Sequence, residues 1–316
     1  MRMLVVGAGS TGGFFGTRLV QAGRDVTFLV RPERAAKLRE RGMRVKSPQG
    51  DAVVQPKLVT AGEIDGTYEA VLLTVKSFSL EAALDDFAPA VGEGTIILPV
   101  LNGMRHVDRL AARFGRNAVG GCAAKVATVL DEEGCIVQLA PFQEIAYGEM
   151  DGSRSSRIMA VDEFMRGASF EARLSANIAL EMWEKWALLA TLGGVTCLMR
   201  GNLGEIEASP GGAEFLMRFF EEVTSVIGAV GMPVDAAFLS QTRALLAAAK
   251  GSSLTSSMYR DLMAHRPIEA DQIVGDLLAR ARAHDASLST PLLAAAYSNL
   301  CVYQRRLVSA QSRSSD

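Results

Sequence analysis

The sequence predicts two domains, an α/β domain with a doubly wound parallel sheet and then a domain made only of helices. Three observations predict this arrangement. Short β-branched runs alternate with amphipathic stretches in the N-terminal half, a glycine-rich turn follows the first run, and strand patterns vanish in the C-terminal half. With 316 residues, the chain is long enough for two domains of about 100–200 residues each. We expect a first domain at residues 1–176, a second at 177–308 and a polar tail at 309–316.

The predicted strands are short runs rich in β-branched and apolar residues. They are Met3–Val6, Asp25–Val30, Ala70–Val75, Thr95–Leu101, Ala118–Gly121, Ile136–Gln138 and Ile145–Gly148. Helical stretches at Phe14–Ala22 and Arg34–Arg41 separate the first of them. Strand, helix and strand at this spacing predict parallel pairing, whereas the closer spacing of the later runs predicts an antiparallel or mixed extension.

The second half consists of alanine- and leucine-rich stretches punctuated by glycine and proline. Trp186–Met199 carries no charge, which predicts a helix buried on most sides, with Gly193 and Gly194 as a candidate kink. The apolar helix expected at Glu214–Val230 suits either the domain core or a homodimer contact, and the core is the expected use.

Composition excludes several classes of function. Lys and Arg number 33 against 35 Asp and Glu, a net charge of −2, so there is no basic excess for nucleic-acid binding. No apolar run reaches the roughly 18 residues that cross a bilayer. Four well-separated cysteines and three histidines argue against disulfides and against a metal cage. We expect a cytoplasmic protein with reduced thiols and a small-molecule substrate.

The first motif is the loop Gly7-Ala8-Gly9-Ser10-Thr11-Gly12, directly after a strand and before a helix. In such a loop the first glycine allows the tight turn, the second lets the backbone approach a pyrophosphate, and the third lets helix and strand pack closely. The N-terminus of the following helix then offers free N–H groups to the phosphates. The loop predicts a dinucleotide cofactor; the alternative is a glycine-rich turn of another α/β protein.

The end of the second strand distinguishes the two nicotinamide cofactors. An NAD site places an acidic residue there to bind the ribose hydroxyl groups, but this chain has Arg31. A guanidinium at that point matches a 2′-phosphate, which favours NADPH/NADP+. In the alternative, Arg31 is a solvated loop residue and Glu33 contacts the ribose.

Other candidates lie at strand ends and in the helical half. Lys76 and Asn102 follow two predicted strands, at the sheet edge where open α/β sheets bind ligands. Lys185 precedes the uncharged helix segment, where desolvation would lower its pKa toward the range useful for proton transfer. Its alternatives are a lysine that snorkels from a helix end, or a pair with Glu181 one turn earlier.

These residues together resemble the ketopantoate reductase (2-dehydropantoate 2-reductase) family over nearly the whole chain. The matching pieces are the glycine loop, Val75-Lys76, Leu101-Asn102-Gly103-Met104, Trp183-Glu184-Lys185, Ser256-Ser257-Met258 and Glu269-Ala270-Asp271. The resemblance implies an N-terminal Rossmann domain, a C-terminal domain similar to that of 6-phosphogluconate dehydrogenases, an active site in the cleft between them, and NADPH as hydride donor.

The resemblance also implies roles for individual residues. Lys185 corresponds to the catalytic lysine that gives a proton to the developing alkoxide, and Glu269 to the acidic residue that contacts the cofactor and orients this lysine. Asn102 corresponds to the asparagine near nicotinamide and substrate, and Ser257 to the serine that binds the substrate carboxylate. The implied cofactor-side cations are Lys76 and Arg31. From its local sequence alone, a hydroxyl such as that of Ser257 is more typical of a helix cap.

The chain departs from the family at three positions where pantothenate-pathway reductases carry asparagine. It has Leu189, Gly193 and Leu203 there, with Asn202 beside the last as a candidate substitute that binds substrate. A pocket that loses hydrogen-bonding side chains changes its substrate discrimination.

Three functions are therefore carried forward. The first is NADPH-dependent reduction of 2-dehydropantoate to (R)-pantoate for pantothenate and coenzyme A synthesis. The second is the same chemistry on another 2-oxo acid or ketone. The third is a non-catalytic NADP-binding sensor, against which the presence of both Lys185 and Glu269 argues.

Overall fold

The computed structural model describes the backbone of residues 1–313 and the side chains of residues 1–310. Contacts divide the chain into two compact units. The first unit holds Met1–Leu101 and His106–Glu181, and the second holds Asn102–Arg105 and the described residues from Met182 to Arg313. Asn102–Arg105 therefore groups with the helical unit, although the sequence assigned these residues to the first domain.

The described residues form ten strands and twelve α-helices. The strands are β1 Arg2–Val6, β2 Asp25–Leu29, β3 Met43–Lys46, β4 Ala52–Val54, β5 Lys57–Val59, β6 Ala70–Leu73, β7 Ile96–Pro99, β8 Gly120–Leu130, β9 Ile136–Glu149 and β10 Glu171–Leu174. The helices are α1 Ser10–Gln21, α2 Pro32–Arg41, α3 Leu80–Phe87, α4 Arg105–Phe114, α5 Ser156–Met165, α6 Ile178–Met199, α7 Leu203–Ala208, α8 Gly212–Ala229, α9 Ala236–Ala247, α10 Ser257–Met263, α11 Asp276–His284 and α12 Pro291–Arg313. Short 3₁₀ turns at Ser77–Ser79, Ala88–Ala90 and Arg116–Ala118 and a π-helical segment at Asp271–Gly275 complete them.

The main sheet is parallel, in the order β5-β2-β1-β6-β7. Strand β1 lies at its centre, and its apolar residues alternate between two cores. Met3 and Val5 pack in one cluster and Leu4 and Val6 in the other, on the opposite face. A parallel sheet covered on both faces reads as a continuous apolar run, which is why the sequence predicted β1, β2, β6 and β7 of this sheet. The α/β class and the Rossmann-type sheet are confirmed.

A second sheet has the order β10-β9-β3-β4, with β8 paired antiparallel to β9. It confirms the expected mixed extension but corrects the predicted strands. Ile136–Gln138 and Ile145–Gly148 belong to one strand, and the run predicted at Ala118–Gly121 starts at Gly120 and continues to Leu130. The long antiparallel pairing, irregular only between Val126 and Thr128, extends both strands beyond the runs that the sequence predicted.

The remaining corrections concern short strands. The sequence did not predict β3, β4, β5 or β10, which have three or four residues each. Segments this short contain too few alternating positions to show a period of two, and their partners in the sheets stabilise them.

The second unit is helical, and no strand occurs in the described residues after Leu174. Helix α6 is continuous through Gly193 and Gly194, and a side chain at Gly194 would overlap the Phe219 ring, so these glycines allow close packing rather than a kink. The apolar residues of α8 are used in the core: Leu216, Phe219, Phe220, Val223, Val226 and Ile227 are fully buried. Among the described helices, none is both long and apolar enough to cross a membrane.

The predicted polar tail at 309–316 is only partly described. Helix α12 includes residues 309–313, so these residues continue the last helix. Residues 314–316 lie outside the described residues.

Candidate functional site

The glycine loop connects β1 to α1 in the first unit. Gly7 has φ = +97°, a backbone conformation that favours glycine, and its N–H donates to the oxygen of Leu29 at 3.0 Å. Gly9 is the N-cap of α1 and has no side chain to accept a hydrogen bond from the first turn. The first N–H groups of the helix are therefore available to an anion.

Gly9 and Gly12 have different surroundings. A Cβ on Gly9 would meet no heavy atom within 4 Å, so open space adjoins the backbone where a ligand would approach. A Cβ on Gly12 would overlap the Thr74 hydroxyl and the Gly7 oxygen. The Thr74 hydroxyl lies 2.9 Å from the oxygens of both Val6 and Gly7 and thereby ties β6 to the loop. Thr74 was not among the residues predicted from the sequence, where the signal that pointed to it was a hydroxyl at the end of the strand beside β1.

Two cations adjoin the loop at the same edge of the sheet. Arg31 follows β2 as the exposed N-cap of α2, and its Nη2 lies 3.4 Å from the Ser79 hydroxyl. Lys76 follows β6, is exposed, and precedes the turn that contains Ser79. Because β2 and β6 flank β1 in register, the structure brings Arg31, Lys76 and the glycine loop together.

In the second unit, Asn102 is attached to the π-helical segment Asp271–Gly275. Gln272 Nε2 donates to the Asn102 main-chain oxygen at 2.7 Å. Gly103 has φ = +76°, and a Cβ on it would lie 2.6 Å from the Gln272 main-chain oxygen. This contact explains why residues 102–105 group with the helical unit.

Lys185 and Glu269 are linked to the same segment. Lys185 is half-buried on α6, and the next residue, Trp186, is fully buried with its indole N–H donating to the Ile273 oxygen at 2.8 Å. Ile273 N in turn donates to the Glu269 oxygen at 3.0 Å, and Glu269 is 8% exposed. The structure thus joins the backbones that carry Asn102, Lys185 and Glu269 through one π-helical segment, a conformation frequent at functional sites.

Gln272 and Trp186, which make these links, were not singled out by the sequence analysis. An indole within an uncharged helix resembles any core residue, and a glutamine three residues after Glu269 resembles any polar helix residue. Their hydrogen bonds reach residues 87 and 170 positions away along the chain, and no local pattern records such bonds.

Two other candidate residues lie at helix N-termini. Ser257 is the exposed first residue of α10, while its neighbour Ser256 is the cap, accepting from Tyr259 N at 2.9 Å. Asn202 forms a capping box with Glu205: its side-chain oxygen accepts from Glu205 N at 2.9 Å, and its own N–H donates to the Glu205 carboxylate at 2.8 Å. The side-chain oxygen of Asn202 is therefore used in holding α7.

The three positions where the resemblance implies asparagine differ in burial. Leu189 is half-buried on α6, one turn after Lys185. Gly193 is buried, and a Cβ on it would lie 2.7 Å from the methyl carbon of Met258. Leu203 is fully buried in the second unit, so it belongs to the core.

The Glu181 carboxylate, which the sequence offered as a partner for Lys185, is bound by Arg173 and Ser175. Arg173 donates to both carboxylate oxygens at 2.8 and 2.6 Å, and the Ser175 hydroxyl donates at 2.6 Å. Burial by itself would raise the pKa of Glu181, but these hydrogen bonds outweigh it and the pKa lies below its usual value. Glu181 is therefore the centre of a separate ion-pair cluster with Arg173.

Comparison with known families gives a match over most of the chain. The model described as "Ketopantoate reductase PanE/ApbA" matches residues 3–152, and the model described as "Ketopantoate reductase PanE/ApbA C terminal" matches residues 177–304. A relative from Bacillus subtilis (strain 168), named uncharacterized oxidoreductase YkpB, is 34% identical over 96% of this chain and 99% of its own.

Solved structures share the fold. The 2-dehydropantoate 2-reductase of Geobacter metallireducens GS-15 matches with a TM-score of 0.84 and 25% identity over 95% of this chain and 99% of its own. A ternary structure of D-mandelate dehydrogenase with NADH and anilino(oxo)acetate matches with a TM-score of 0.85 and 18% identity, over 97% and 99% of the two chains. At that identity the likeness to D-mandelate dehydrogenase concerns the fold alone.

Proposed function

The chain belongs to the PanE/ApbA ketopantoate reductase family of oxidoreductases, and from this premise we propose that it reduces the keto group of a 2-oxo acid with NADPH. The first candidate substrate is 2-dehydropantoate, whose product is (R)-pantoate, a precursor for pantothenate and coenzyme A. The observation that carries the proposal is the linkage of the Asn102, Lys185 and Glu269 backbones through the π-helical segment.

The residues of the chain have separate parts in this reaction. The glycine loop, Arg31 and Lys76 would hold the dinucleotide, which when bound would supply the hydride for the carbonyl carbon. The Lys185 ammonium stabilises the negative charge that develops on the carbonyl oxygen and donates the proton that completes the hydroxyl group. Glu269 keeps Lys185 oriented, Asn102 positions the reacting groups, and Ser257, exposed at the start of α10, binds the substrate carboxylate. Neither a covalent nucleophile nor a metal is required.

The cofactor preference rests on the cations at the edge of the parallel sheet. Arg31 and Lys76 are both exposed beside the glycine loop, and a guanidinium binds a phosphate through two hydrogen bonds. The open space beside Gly9 and the uncapped first turn of α1 fit the pyrophosphate. NADH, which is present in the D-mandelate dehydrogenase structure, is the alternative.

A more apolar 2-oxo acid is the second candidate substrate. Leu189 and Gly193 lie one and two turns after Lys185 on α6, where the resemblance implies amides that contact the substrate. Asn202 uses its side-chain oxygen to cap α7 and leaves only its amide nitrogen for a substrate. A site with fewer amides forms fewer hydrogen bonds to a substrate hydroxyl group. It therefore favours a substrate that has an apolar group at that position.

The experiment is to follow the oxidation of NADPH by its near-ultraviolet absorbance with 2-dehydropantoate and with a panel of linear, branched and aromatic 2-oxo acids. NADH serves as the cofactor control. We expect turnover with NADPH; preference for 2-dehydropantoate supports the first substrate, and preference for a 2-oxo acid without a hydroxyl group supports the second. Tight NADPH binding with no turnover of any carbonyl compound would overturn the proposal and favour a sensor.

A further inference from the structure

We propose that Gln272 is a positioning residue, which fixes the main chain at Asn102 so that the Asn102 side chain keeps its place relative to Lys185 and Glu269. This inference rests on the proposed function. Gln272 touches neither substrate nor cofactor in the proposed reaction, and it acts through Asn102.

The first observation is the hydrogen bond from the Gln272 amide to the Asn102 oxygen. The bond is 2.7 Å long, and Gln272 is 4% exposed. In a buried setting a hydrogen bond is electrostatically stronger than in water, and its loss leaves a buried polar group with neither a hydrogen-bond partner nor water. A side chain that cannot donate would therefore release the Asn102 oxygen.

The second observation is the backbone contact at Gly103. Its φ of +76° and the 2.6 Å from its hypothetical Cβ to the Gln272 oxygen mean that only glycine fits here without displacing one of the two chains. The Gln272 Cγ and Nε2 atoms lie 3.5 Å from the same point. Gln272 therefore contacts two consecutive residues, one by a hydrogen bond and one by packing, and this fixes both the position and the direction of the loop.

The third observation is that the segment carrying Gln272 is itself held. On one side Trp186 donates to the Ile273 oxygen at 2.8 Å, and on the other the Tyr297 hydroxyl donates to the Asp271 carboxylate at 2.6 Å. The Tyr297 ring also packs against Gly275, where a Cβ would lie 2.7 Å from it. These contacts fix the backbone that carries Gln272. Because this backbone does not move with residues 102–103, Gln272 can hold them in place.

The first test is Gln272→Met, which keeps the volume of the side chain and removes the donor. We expect the rate of hydrogen exchange in the peptide containing residues 101–106 to rise about five- to tenfold, because the loop loses one stabilising hydrogen bond. We expect kcat to fall about ten- to a hundredfold, as for a misplaced reacting group, with KM changing much less. The matched control is Gln143→Met, which removes a glutamine bond of the same 2.7 Å to a main-chain oxygen, that of Ser169, in the first unit.

A double-mutant cycle separates positioning from general stability. If Gln272 acts through the Asn102 side chain, Gln272→Met has little further effect on kcat in an Asn102→Ala background. The proposal would be overturned if the two substitutions lowered kcat independently, so that the double variant showed the product of the two single effects. It would also be overturned if Gln272→Met were folded by circular dichroism and kept the wild-type kcat.

Gly103→Ala disturbs the same contact from the side of the loop and keeps the Gln272 amide donor. We expect it to reproduce the faster exchange and the lower kcat, and wild-type values for both in Gly103→Ala would contradict the proposal. Hydrogen exchange does not depend on turnover. If the wild type reduces no carbonyl compound, the proposed function fails, while exchange in residues 101–106 still decides whether Gln272 anchors the loop.

Discussion

Residue type alone did not decide which polar side chains serve the site. Asn202 and Ser257 were both candidates near the substrate, yet the structure uses the Asn202 oxygen to cap a helix, and the hydroxyl of Ser256, the neighbour of Ser257, caps another. Ser257 remains exposed beside the cap. Caps and ligand-binding groups draw on the same residue types, because each presents an oxygen to N–H groups. Ser257 therefore keeps its proposed role, and Asn202 keeps only its amide nitrogen for it.

Lys185 carries the proton in the proposed reaction, and its replacement is the most direct test at this scale. In Lys185→Ala we expect kcat to fall about a thousandfold, the range of a lost general acid, while the Kd for NADPH changes by less than about twofold. Steady-state rates and fluorescence titration with NADPH measure the two quantities.

The control for this prediction is Lys250→Ala, which removes an exposed lysine of the same unit. Full activity in Lys185→Ala would show that another group donates the proton. Loss of NADPH binding along with turnover would assign Lys185 to the cofactor.

Helix α1 shows how one element combines packing with binding. Gly12 lies against Thr74 and Gly7, whereas Gly9 faces open space. In Gly12→Ala we expect the free energy of unfolding to drop by about 3 kcal/mol, because the methyl group meets backbone that cannot move away. In Gly9→Ala we expect a loss of no more than about 1 kcal/mol from a poorer N-cap, but about tenfold weaker NADPH binding.

Urea unfolding and NADPH titration of both variants check this prediction, and each variant is the control for the other. Undiminished NADPH affinity in Gly9→Ala would mean that the dinucleotide does not pass over Gly9. Wild-type stability in Gly12→Ala would contradict the close contact with Thr74.

The contact between α5 and the end of β9 is an ion pair in which Glu149 is buried and the Arg157 side chain is 26% exposed. Arg157 donates to both carboxylate oxygens of Glu149 at 2.7 and 2.6 Å, and the Ser155 hydroxyl donates at 2.5 Å. Burial by itself would raise the pKa of Glu149, but these hydrogen bonds outweigh it and the pKa lies below its usual value. The folded state thus binds this proton more weakly than the unfolded state. The resulting stability is present above the unfolded-state pKa and is lost as the pH falls through the folded-state pKa.

In Arg157→Ala we expect the free energy of unfolding at pH 7 to fall by about 3 kcal/mol, because a buried carboxylate loses its partner. Burial then dominates and raises the pKa of Glu149, so its protonation relieves the cost and the difference from wild type shrinks at pH 4. Urea unfolding at both pH values measures this difference.

Arg113→Ala is the matched control, since Arg113 pairs with Asp85 at 3.4 Å and both side chains are more than half exposed. Its expected cost is less than about 0.5 kcal/mol. A loss in Arg157→Ala that is equal at the two pH values would mean that Arg157 stabilises by packing rather than by charge.

For the whole molecule, cofactor binding and stability are coupled by mass action. At a free NADPH concentration one hundred times its Kd, we expect the free energy of unfolding to rise by about 2.7 kcal/mol. NADH at the same concentration should stabilise much less, because it lacks the phosphate that Arg31 is proposed to bind. Thermal unfolding with each cofactor measures both effects.

Arg31→Ala should remove most of the difference between the cofactors, and Arg39→Ala, an exposed arginine of the same helix, should leave it intact. Equal stabilisation of the wild type by NADH and NADPH would contradict the assignment of Arg31. Six apolar residues of α8, from Leu216 to Ile227, are fully buried in the second unit, so these side chains serve the core of that unit.

The roles of Glu269 and Ser257 were implied only by the family resemblance. The sequence by itself determined the class and order of the two parts and the candidate positions Gly7–Gly12, Arg31, Lys76, Asn102 and Lys185. These follow from local properties: the spacing of glycines, apolar periodicity, and the residue type at the end of a strand. A local pattern can identify a site residue when the residues beside it in the sequence already define its surroundings.

Only the tertiary structure decided the rest. It joined residues 136–149 into one strand by pairing them with β8, added four strands too short to show a period, and used the Asn202 oxygen as a cap. It also placed Gln272 against Asn102, 170 residues away along the chain. The physical reason is the same in each case: a hydrogen bond between distant segments forms only once both segments are folded, and it leaves no periodicity in either of them.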